Sequence, residues 1–404
     1  MEKRSEPFGT DIPCRGINKT HMKKNKEAAF KKPHTKKYYI RLICLFTALF
    51  AALAFFITTW FCGDRSLLTY IENYQFKLYG ERNELIEITE YENYSVIDNK
   101  SDKPLKILQL TDLHLGCGIF TINTDRYAAE QVLLAVCASS PDLIIVTGDA
   151  LSPIYVRSGT KNSHNSLDAF IALMEKTGIP WAFVFGNHDG EGSASKDYIS
   201  ERLEQAENCL YKRGDPNISG QGNYYIELRE NGNFTSAIFL MDTGGGNFLG
   251  YEGVYDDQIE WYENTVNSLK SRNPLFNSML FVHIPLNEYQ TAWDLYASGS
   301  DNVRKFYGEK NESVSAGVQR GFYDKLAELG STKWVFCGHD HDNNYSILMK
   351  DTGIRLTYSM SIDYSAYLTT RFKTSHRGAT LILADQSIVE IKKLSQDNGY
   401  HPDN

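Results

Sequence analysis

The chain has 404 residues, enough for roughly two to three domains, and its apolar fraction of 42% is sufficient for a sizeable core. The net charge of −8 is uneven: residues 1–41 carry 12 Lys or Arg and 4 Asp or Glu, so residues 42–404 carry −16. This acidic main portion argues against non-specific nucleic-acid binding, which needs a basic surface, and no nucleic-acid partner is expected.

The N-terminal part of the chain predicts a membrane anchor. Residues 1–41 form a polar, lysine-rich segment without apolar periodicity, which indicates a disordered cytoplasmic tail. Residues 42–62 contain no charge and would span about 31 Å as a helix, the thickness of a hydrocarbon core. The basic residues before this segment predict a single pass with a cytoplasmic N-terminus and an extracytoplasmic remainder.

A cleaved signal peptide is the alternative interpretation of the same segment. Signal peptides have an apolar region of about 7–15 residues, which is shorter than residues 42–62. The preceding basic region is also long for a signal peptide, although a start at Met22 would shorten it. The sequence therefore favours an uncleaved anchor and leaves cleavage near Ala52-Leu53-Ala54 open.

The remainder of the chain alternates between strand and helix patterns. Residues 63–104 predict a stalk helix and then a strand at a domain edge, residues 105–393 a main domain, and residues 394–404 a C-terminal tail. Strands are predicted at 105–111, 143–147, 181–185, 224–228, 237–241, 279–283 and 333–337, and helices at 124–139, 167–177, 195–212, 256–271 and 316–329. Three closing runs, 354–359, 379–383 and 387–391, predict antiparallel strands. This order indicates an α/β fold of two mixed β-sheets flanked by helices.

Three long loops are predicted to shape a pocket. Residues 152–165 are rich in Ser, Gly and Asn, residues 242–255 contain Gly244-Gly245-Gly246, and residues 284–312 carry several aromatic side chains. Long loops on a rigid scaffold often determine specificity.

Five short motifs follow predicted strands and end on metal-binding residue types. They are Asp112-Leu113-His114, Gly148-Asp149, Gly186-Asn187-His188-Asp189, His283, and Gly338-His339-Asp340-His341. In open α/β sheets, sites form at the carboxyl ends of strands. Carboxylate, imidazole and amide donors suit divalent Mn, Fe or Zn. Two such ions about 3.5–4 Å apart can hold the attacking and leaving oxygens of a displacement at phosphorus, and a carboxylate such as Asp149 can bridge them.

This ordered set of motifs resembles the calcineurin-like metallophosphoesterase superfamily, over residues 105–393. The resemblance implies a four-layer αββα sandwich, a catalytic domain acting on phosphate esters, and two divalent metal ions. One metal would be bound by Asp112, His114, Asp149 and His341, and the second by Asp149, Asn187, His283 and His339. The resemblance also gives His188 a catalytic role, contact with phosphate and protonation of the leaving oxygen. Asp189 is assigned to the catalytic set as the group that orients a ligand or His188.

Two differences from the motifs of better-known subfamilies narrow the choice of subfamily. Purple acid phosphatases carry a tyrosine three residues after the Gly-Asp aspartate, where this chain has Ser152. Ser/Thr protein phosphatases end the Gly-Asn-His block with glutamate, where this chain has Asp189. The segment around Tyr251 is similar to purple-acid-phosphatase relatives that lack the purple-defining tyrosine, and we expect the chain to be closest to them.

The sequence thus predicts a membrane-anchored hydrolase, a phosphoesterase in which a metal-bound hydroxide attacks phosphorus. A phosphodiesterase or lipid-headgroup hydrolase is the first alternative, because the anchor would place the site beside a membrane. A non-catalytic module that binds metals is the second. The choice between monoester and diester substrates, the metal pair and the oligomeric state remain open at this point.

Overall fold

A computed structural model describes residues 35–247, 250–367, 374–385 and 388–400, so most of the predicted cytoplasmic tail lies outside the described residues. The helices are α1 Lys36–Cys62, α2 Ser66–Asn73, α3 Ile122–Ser139, α4 Tyr155–Ser158, α5 Ser163–Thr177, α6 Lys196–Glu204, α7 Asp256–Arg272, α8 Glu288–Ala297 and α9 Phe322–Leu329. The strands are β1 Ile86–Glu90, β2 Tyr94–Asn99, β3 Leu105–Leu110, β4 Leu143–Thr147, β5 Trp181–Val184, β6 Tyr224–Glu230, β7 Asn233–Leu240, β8 Gly246–Asn247, β9 Gly250–Tyr251, β10 Asn277–Phe281, β11 Val303–Tyr307, β12 Thr332–Cys337, β13 Ser346–Met349, β14 Ile354–Tyr358, β15 Gly378–Asp385 and β16 Ile388–Ser395.

Helix α1 is long and apolar enough to cross a membrane, and it begins six residues before the predicted segment. Most of its side chains are exposed, and Thr59 is its one buried residue. A signal sequence near an N-terminus can also meet this criterion of length and apolar composition, so both interpretations of this segment stand. The chain divides into two units after Leu53, and the final residues of α1 belong to the larger unit, 54–404.

The larger unit contains two mixed β-sheets, which confirms the predicted fold class. In the described part of the chain one sheet has nine strands in the order β1-β2-β6-β7-β10-β12-β14-β13-β11, and the other has five in the order β16-β15-β3-β4-β5. Each sheet contains a run of adjacent parallel strands, β7, β10, β12 and β14 in the first and β3, β4 and β5 in the second. Antiparallel strands complete both sheets.

The side chains of the nine-stranded sheet alternate between two apolar cores. Ile238 and Leu240 of β7 pack in the core shared with the five-stranded sheet. Phe239, between them, packs in a second core with residues of α7, α8 and α9. The strand period of two residues produces this division, and α3, α5 and α6 contribute to the shared core with the five-stranded sheet. The layers are therefore helix, sheet, sheet and helix.

The predicted stalk and tail pack onto these layers. Leu67 and Ile71 of α2 are buried in the core shared by the sheets, and β2 pairs with β6 at the edge of the nine-stranded sheet. At the other terminus Tyr400 is buried, and its hydroxyl donates a hydrogen bond to Gln131 of α3 at 2.8 Å.

Several element boundaries differ from the predictions. The helix predicted at 195–212 ends at Glu204, because Leu210 instead donates its backbone N–H to the carbonyl of Trp181 at 2.7 Å and extends the edge of β5. The helix predicted at 316–329 begins at Phe322. The loop predicted at 284–312 contains α8 and β11. The predicted strand 354–359 is antiparallel to β13, but it is parallel to β12.

Candidate metal centre

The predicted metal-binding side chains meet where strands of both sheets end. Asp112 and Asp149 lie two residues after β3 and β4 of the five-stranded sheet, and Asn187 lies three residues after β5. His283 and His339 lie two residues after β10 and β12 of the nine-stranded sheet. Because β3, β4 and β5 are parallel to one another and β10 is parallel to β12, each set of carboxyl ends shares one edge.

The first group of candidate ligands is Asp112, His114 and His341, all buried. The Nε2 atoms of the two histidines lie 3.1 Å apart. Asp112 Oδ1 lies 3.3 Å from Nε2 of His341 and 3.8 Å from Nε2 of His114. Three donor atoms from two distant parts of the chain thus converge on one small volume.

The second group is Asp149, His283 and His339, also buried. Asp149 Oδ2 lies 3.3 Å from His283 Nε2, and His339 Nδ1 lies 3.3 Å from the same nitrogen. Asn187 Oδ1 joins this group at 3.1 Å from His283 Nε2. Asp149 Oδ2 is also 3.6 Å from Nε2 of His114 in the first group, so its carboxylate lies between the two groups.

The backbone at these positions is unusual. Asp112, His114, Asp149 and His339 all have φ between 51° and 77°, a region that non-glycine residues rarely adopt and that clusters at functional sites. Gly148 has φ of 83°, and a Cβ there would lie 2.6 Å from the backbone nitrogen of Gly186. The close approach of these turns explains why the motif requires glycine before Asp149.

Interactions among the ligands shift their pKa values. Burial alone would raise the pKa of Asp149, but His283 and the other imidazoles hold it below its usual range. Burial opposes protonation of His283, yet Asp149 raises the pKa of this imidazole to about 9. Burial and the charge of His283 lower the pKa of His339 to about 3. The carboxylate of Asp149 is therefore anionic at neutral pH, the state in which a carboxylate binds a metal ion.

The donor set fits divalent metal ions. Asp112 Oδ1 is buried and accepts no hydrogen bond from any residue that the structure describes. Two imidazole nitrogens that face each other at 3.1 Å cannot both carry a proton there, so at least one lone pair is available. Imidazole and carboxylate donors in this arrangement suit Mn, Fe or Zn.

Two of the histidines are oriented by groups behind them. His283 Nδ1 lies 2.8 Å from the backbone carbonyl of Thr147, and His341 Nδ1 lies 3.2 Å from Asp363 Oδ2. Both contacts leave Nε2 facing the centre, as is usual for ligating histidines. Asp363 was not predicted, because it lies 22 residues after His341 and no motif marks it.

His188 lies at the side of the ligands and is only half-buried. Its ring centroid is 5.4 Å from that of His114, and its Nδ1 lies 2.8 Å from Glu191 Oε2. Burial would lower the pKa of His188, but Asp149 and Glu191 raise it. Glu191 was not predicted, although its position three residues after His188 in the same turn was a usable signal.

Asp189, predicted to belong to the catalytic set, is surrounded by backbone amides. Its carboxylate accepts hydrogen bonds from the N–H groups of Gly186 at 2.7 Å, Asp149 at 2.9 Å and Leu151 at 2.9 Å. Burial raises its pKa to about 6. These contacts connect the turn that carries Asn187 to the turn that carries Asp149, so Asp189 is a positioning residue.

Replacement of Asp189 with alanine is expected to destabilise the protein by about 3 kcal/mol or more, because each buried N–H left without an acceptor costs about 1–3 kcal/mol. The free energy of unfolding from denaturant titration measures the loss. Asp294→Ala, at an exposed position of α8, is the matched control and should change it by no more than about 0.5 kcal/mol. Similar losses in the two variants would show that the three hydrogen bonds contribute little.

Four of the candidate ligands, His114, Asp149, His339 and His341, line a cavity of about 240 Å³. Its lining also contains residues outside the predicted set, among them Arg157 of α4, Tyr251 of β9 and Tyr367. The ring of Tyr251 stands edge-on to His339 and that of Tyr367 is tilted against His341, each with centroids 4.4 Å apart. Two of the predicted loops, 152–165 and 242–255, thus contribute to the lining. None of the described residues of the third loop, 284–312, lines this cavity.

Other polar residues near the motifs form hydrogen bonds outside the cavity. His164 Nδ1 lies 3.0 Å from the hydroxyl of Ser193, and His376 Nδ1 lies 3.0 Å from Asp342 Oδ1. The side-chain oxygen of Asn343 accepts a hydrogen bond from the backbone N–H of Asn311 at 2.9 Å. These residues hold loops in place through hydrogen bonds and do not line the cavity.

Comparisons with known proteins agree with this geometry. The family model for calcineurin-like phosphoesterases matches residues 105–343. Among curated proteins, "probable inactive purple acid phosphatase 14" of Arabidopsis thaliana is 28% identical over 305 residues, which cover 66% of this chain and 72% of that protein. "Phosphatase DCR2" of Saccharomyces cerevisiae is 29% identical over 266 residues, which cover 60% of this chain and 45% of that protein.

Among solved structures, a dimetal phosphatase from Danio rerio is similar at 11% sequence identity with a TM-score of 0.48. The match covers 72% of this chain and 96% of that chain.

Proposed function

Because the chain belongs to the calcineurin-like phosphoesterase family, we propose that it is a metal-dependent hydrolase of phosphate esters. The observation that carries this proposal is the pair of buried ligand groups, Asp112 with His114 and His341, and Asp149 with His283 and His339. Both groups open onto one cavity, with the carboxylate of Asp149 between them. All seven residues that the family resemblance assigns to the metals come together.

Asp112, His114, Asp149 and His341 would hold one divalent ion, and Asp149, Asn187, His283 and His339 would hold the other. Two ions held there would acidify a bound water near neutral pH and neutralise charge on the phosphate oxygens. The protein orients these ligands. Thr147 holds the ring of His283, and Asp363 holds that of His341. Asp189 connects the turns that carry Asp149 and Asn187.

His188 would bind the substrate phosphate and give a proton to the leaving oxygen. It lines the cavity with its ring near His114, and its Nδ1 faces Glu191. Glu191 therefore holds the ring so that Nε2 is available to the substrate. A positioned imidazole of this kind can act as a general acid.

Two alternatives have support of their own. A phosphodiesterase or lipid-headgroup hydrolase is favoured by the end of α1, where the ring of Trp60 packs against that of Tyr155 with centroids 4.4 Å apart. Tyr155 lies two residues before Arg157 of the cavity. A non-catalytic metal-binding module is favoured by the name of the Arabidopsis relative, which describes that protein as probably inactive.

Hydrolysis of p-nitrophenyl phosphate and of bis-p-nitrophenyl phosphate tests these functions. The full chain, purified in detergent and loaded with Mn²⁺, should cleave at least one ester, and a chelator should remove the activity until Mn²⁺ is restored. Faster cleavage of the monoester supports a phosphatase, and faster cleavage of the diester supports the first alternative. Absence of metal-dependent cleavage of either ester would contradict the proposal and favour the binding module.

We also propose that α1 anchors the protein with its N-terminus in the cytoplasm and the catalytic domain outside. The support is the length and apolar composition of α1 and the basic residues that precede its apolar stretch. The full chain should remain in the membrane pellet after alkaline carbonate extraction, and protease added to intact cells should degrade the catalytic domain. A shortened chain in the soluble fraction would instead indicate cleavage of a signal peptide.

A further inference from the structure

Arg157 introduces a positive charge into the metal cavity that none of the five motifs predicts. It is the one Lys or Arg among the described residues that line the cavity. Its side chain is half-buried. Within the described ranges no side chain or carbonyl accepts a hydrogen bond from its guanidinium, and no carboxylate forms an ion pair with it.

The acidic groups nearby have other partners. Asp340, which also lines the cavity, accepts hydrogen bonds from the hydroxyl of Tyr358 at 2.6 Å and the backbone N–H of Ser315 at 3.1 Å. Glu191 is paired with His188 at 2.8 Å. The guanidinium of Arg157 therefore retains its donors for a group that enters from solvent, and a positive charge beside two cation sites selects an anion.

The short helix that carries Arg157 is held from several sides. Tyr155 packs its ring against Trp60 with centroids 4.4 Å apart. The carbonyl of Ser158 accepts a hydrogen bond from the backbone N–H of Phe120 at 3.1 Å, and the hydroxyl of Ser158 donates to the carbonyl of Ile154 at 3.0 Å. The backbone of Arg157 is thus placed before substrate arrives, which lowers the entropy that binding must overcome.

We propose that Arg157 binds the substrate phosphate and selects phosphate monoesters over diesters, an inference that rests on the proposed function. A monoester dianion has three terminal oxygens, so two can accept parallel hydrogen bonds from the guanidinium while the third faces the metal sites. In a diester one of these oxygens carries a second organic group. That oxygen accepts hydrogen bonds weakly, and its substituent must fit in a cavity of about 240 Å³.

Arg157→Gln tests this role in the full chain, purified in detergent and loaded with Mn²⁺. We expect kcat/KM for p-nitrophenyl phosphate to fall by about 10- to 100-fold, as for loss of a hydrogen-bonded charge. Cleavage of bis-p-nitrophenyl phosphate should fall less than about threefold, and the inhibition constant of inorganic phosphate should rise by about tenfold. Arg157→Lys should recover part of the loss, because lysine keeps the charge but lacks the paired donors.

Arg304→Gln is the matched control. Arg304 is exposed on β11, where its guanidinium lies 4.7 Å from the ring centre of Phe306, and it does not line the cavity. Its replacement removes the same charge and should leave both activities and both bound metals unchanged. Metal content, measured by inductively coupled plasma mass spectrometry, should also be the same in Arg157→Gln as in the unmodified chain.

The outcomes separate this inference from the proposed function. If the unmodified chain is active and Arg157→Gln leaves the cleavage of both esters unchanged, or lowers both rates equally, the selective role is wrong. The proposed function then stands. If the unmodified chain cleaves neither ester, calorimetric binding of inorganic phosphate to the Mn²⁺-loaded proteins decides. Binding that is at least about tenfold weaker in Arg157→Gln supports the anion site. Equal affinity, or no binding to either protein, overturns it.

Discussion

Replacement of Asp149 with asparagine is expected to abolish hydrolysis. The carboxylate lies between the two ligand groups, with Oδ2 at 3.3 Å from His283 Nε2 and 3.6 Å from His114 Nε2. Asparagine keeps the shape, and its oxygen can still accept the hydrogen bond that Oδ1 receives from the backbone N–H of His188. The negative charge and the second carboxylate oxygen are lost, so two cations bound at these groups would lose the ligand that they are proposed to share.

We expect kcat to fall by at least about 10³-fold, because several kcal/mol of transition-state stabilisation depend on the metal pair. Metal analysis should show fewer than two bound ions per chain. Asp294→Asn is the control, since its exposed carboxylate on α8 accepts a hydrogen bond from Gln290 and lies outside the cavity. Full activity together with two bound ions in Asp149→Asn would show that this carboxylate does not bridge the metals.

Replacement of His188 with alanine is expected to lower turnover and leave metal content unchanged. His188 lines the cavity, but it belongs to neither ligand group. Loss of a general acid typically lowers the rate by about 10²- to 10⁴-fold. A protonated leaving oxygen matters most when the alcohol is a poor leaving group. We therefore expect a loss about tenfold greater for phenyl phosphate than for p-nitrophenyl phosphate.

Glu191→Gln is a milder change to the same interaction and is compared with His188→Ala. It removes the charge that faces His188 Nδ1 at 2.8 Å and keeps an oxygen that can accept the hydrogen bond. Loss of such a supporting contact lowers activity by about 10-fold, with both metals still bound. If His188→Ala lost metal, the histidine would be a ligand. Equal losses on the two substrates would assign it to phosphate binding without proton transfer.

The residues of the candidate metal centre were predictable because each belongs to a local pattern. A short apolar run predicts a strand, and the polar residues immediately after it lie at the carboxyl end of that strand. Asp112, Asp149 and Asn187 follow three adjacent parallel strands, so their proximity needs no further information than the strand order. The choice of carboxylate, imidazole and amide at these ends then predicts a divalent metal.

The secondary structure was less predictable where distant segments pair. The apolar pattern after Glu204 suits a helix, but Leu210 forms a backbone hydrogen bond with Trp181 and the helix ends early. The aromatic residues after His283 predicted a pocket loop. Instead Tyr289 and Trp293 lie on α8 and pack against Tyr345 with centroids 6.3 and 4.9 Å apart. In both cases tertiary contacts override local propensity.

Sequence alone determined which residues can bind metal, since strand ends and donor types are properties of short segments. Only the tertiary structure decided what surrounds them: Asp363 behind His341, three backbone amides around Asp189, and Arg157 with its donors facing the cavity. The physical reason is the range of the interactions. About ten consecutive residues are enough to predict a strand and the metal-binding residue that follows it. A hydrogen bond between distant segments, or an unpaired charge in a cavity, depends on segments that only folding brings together.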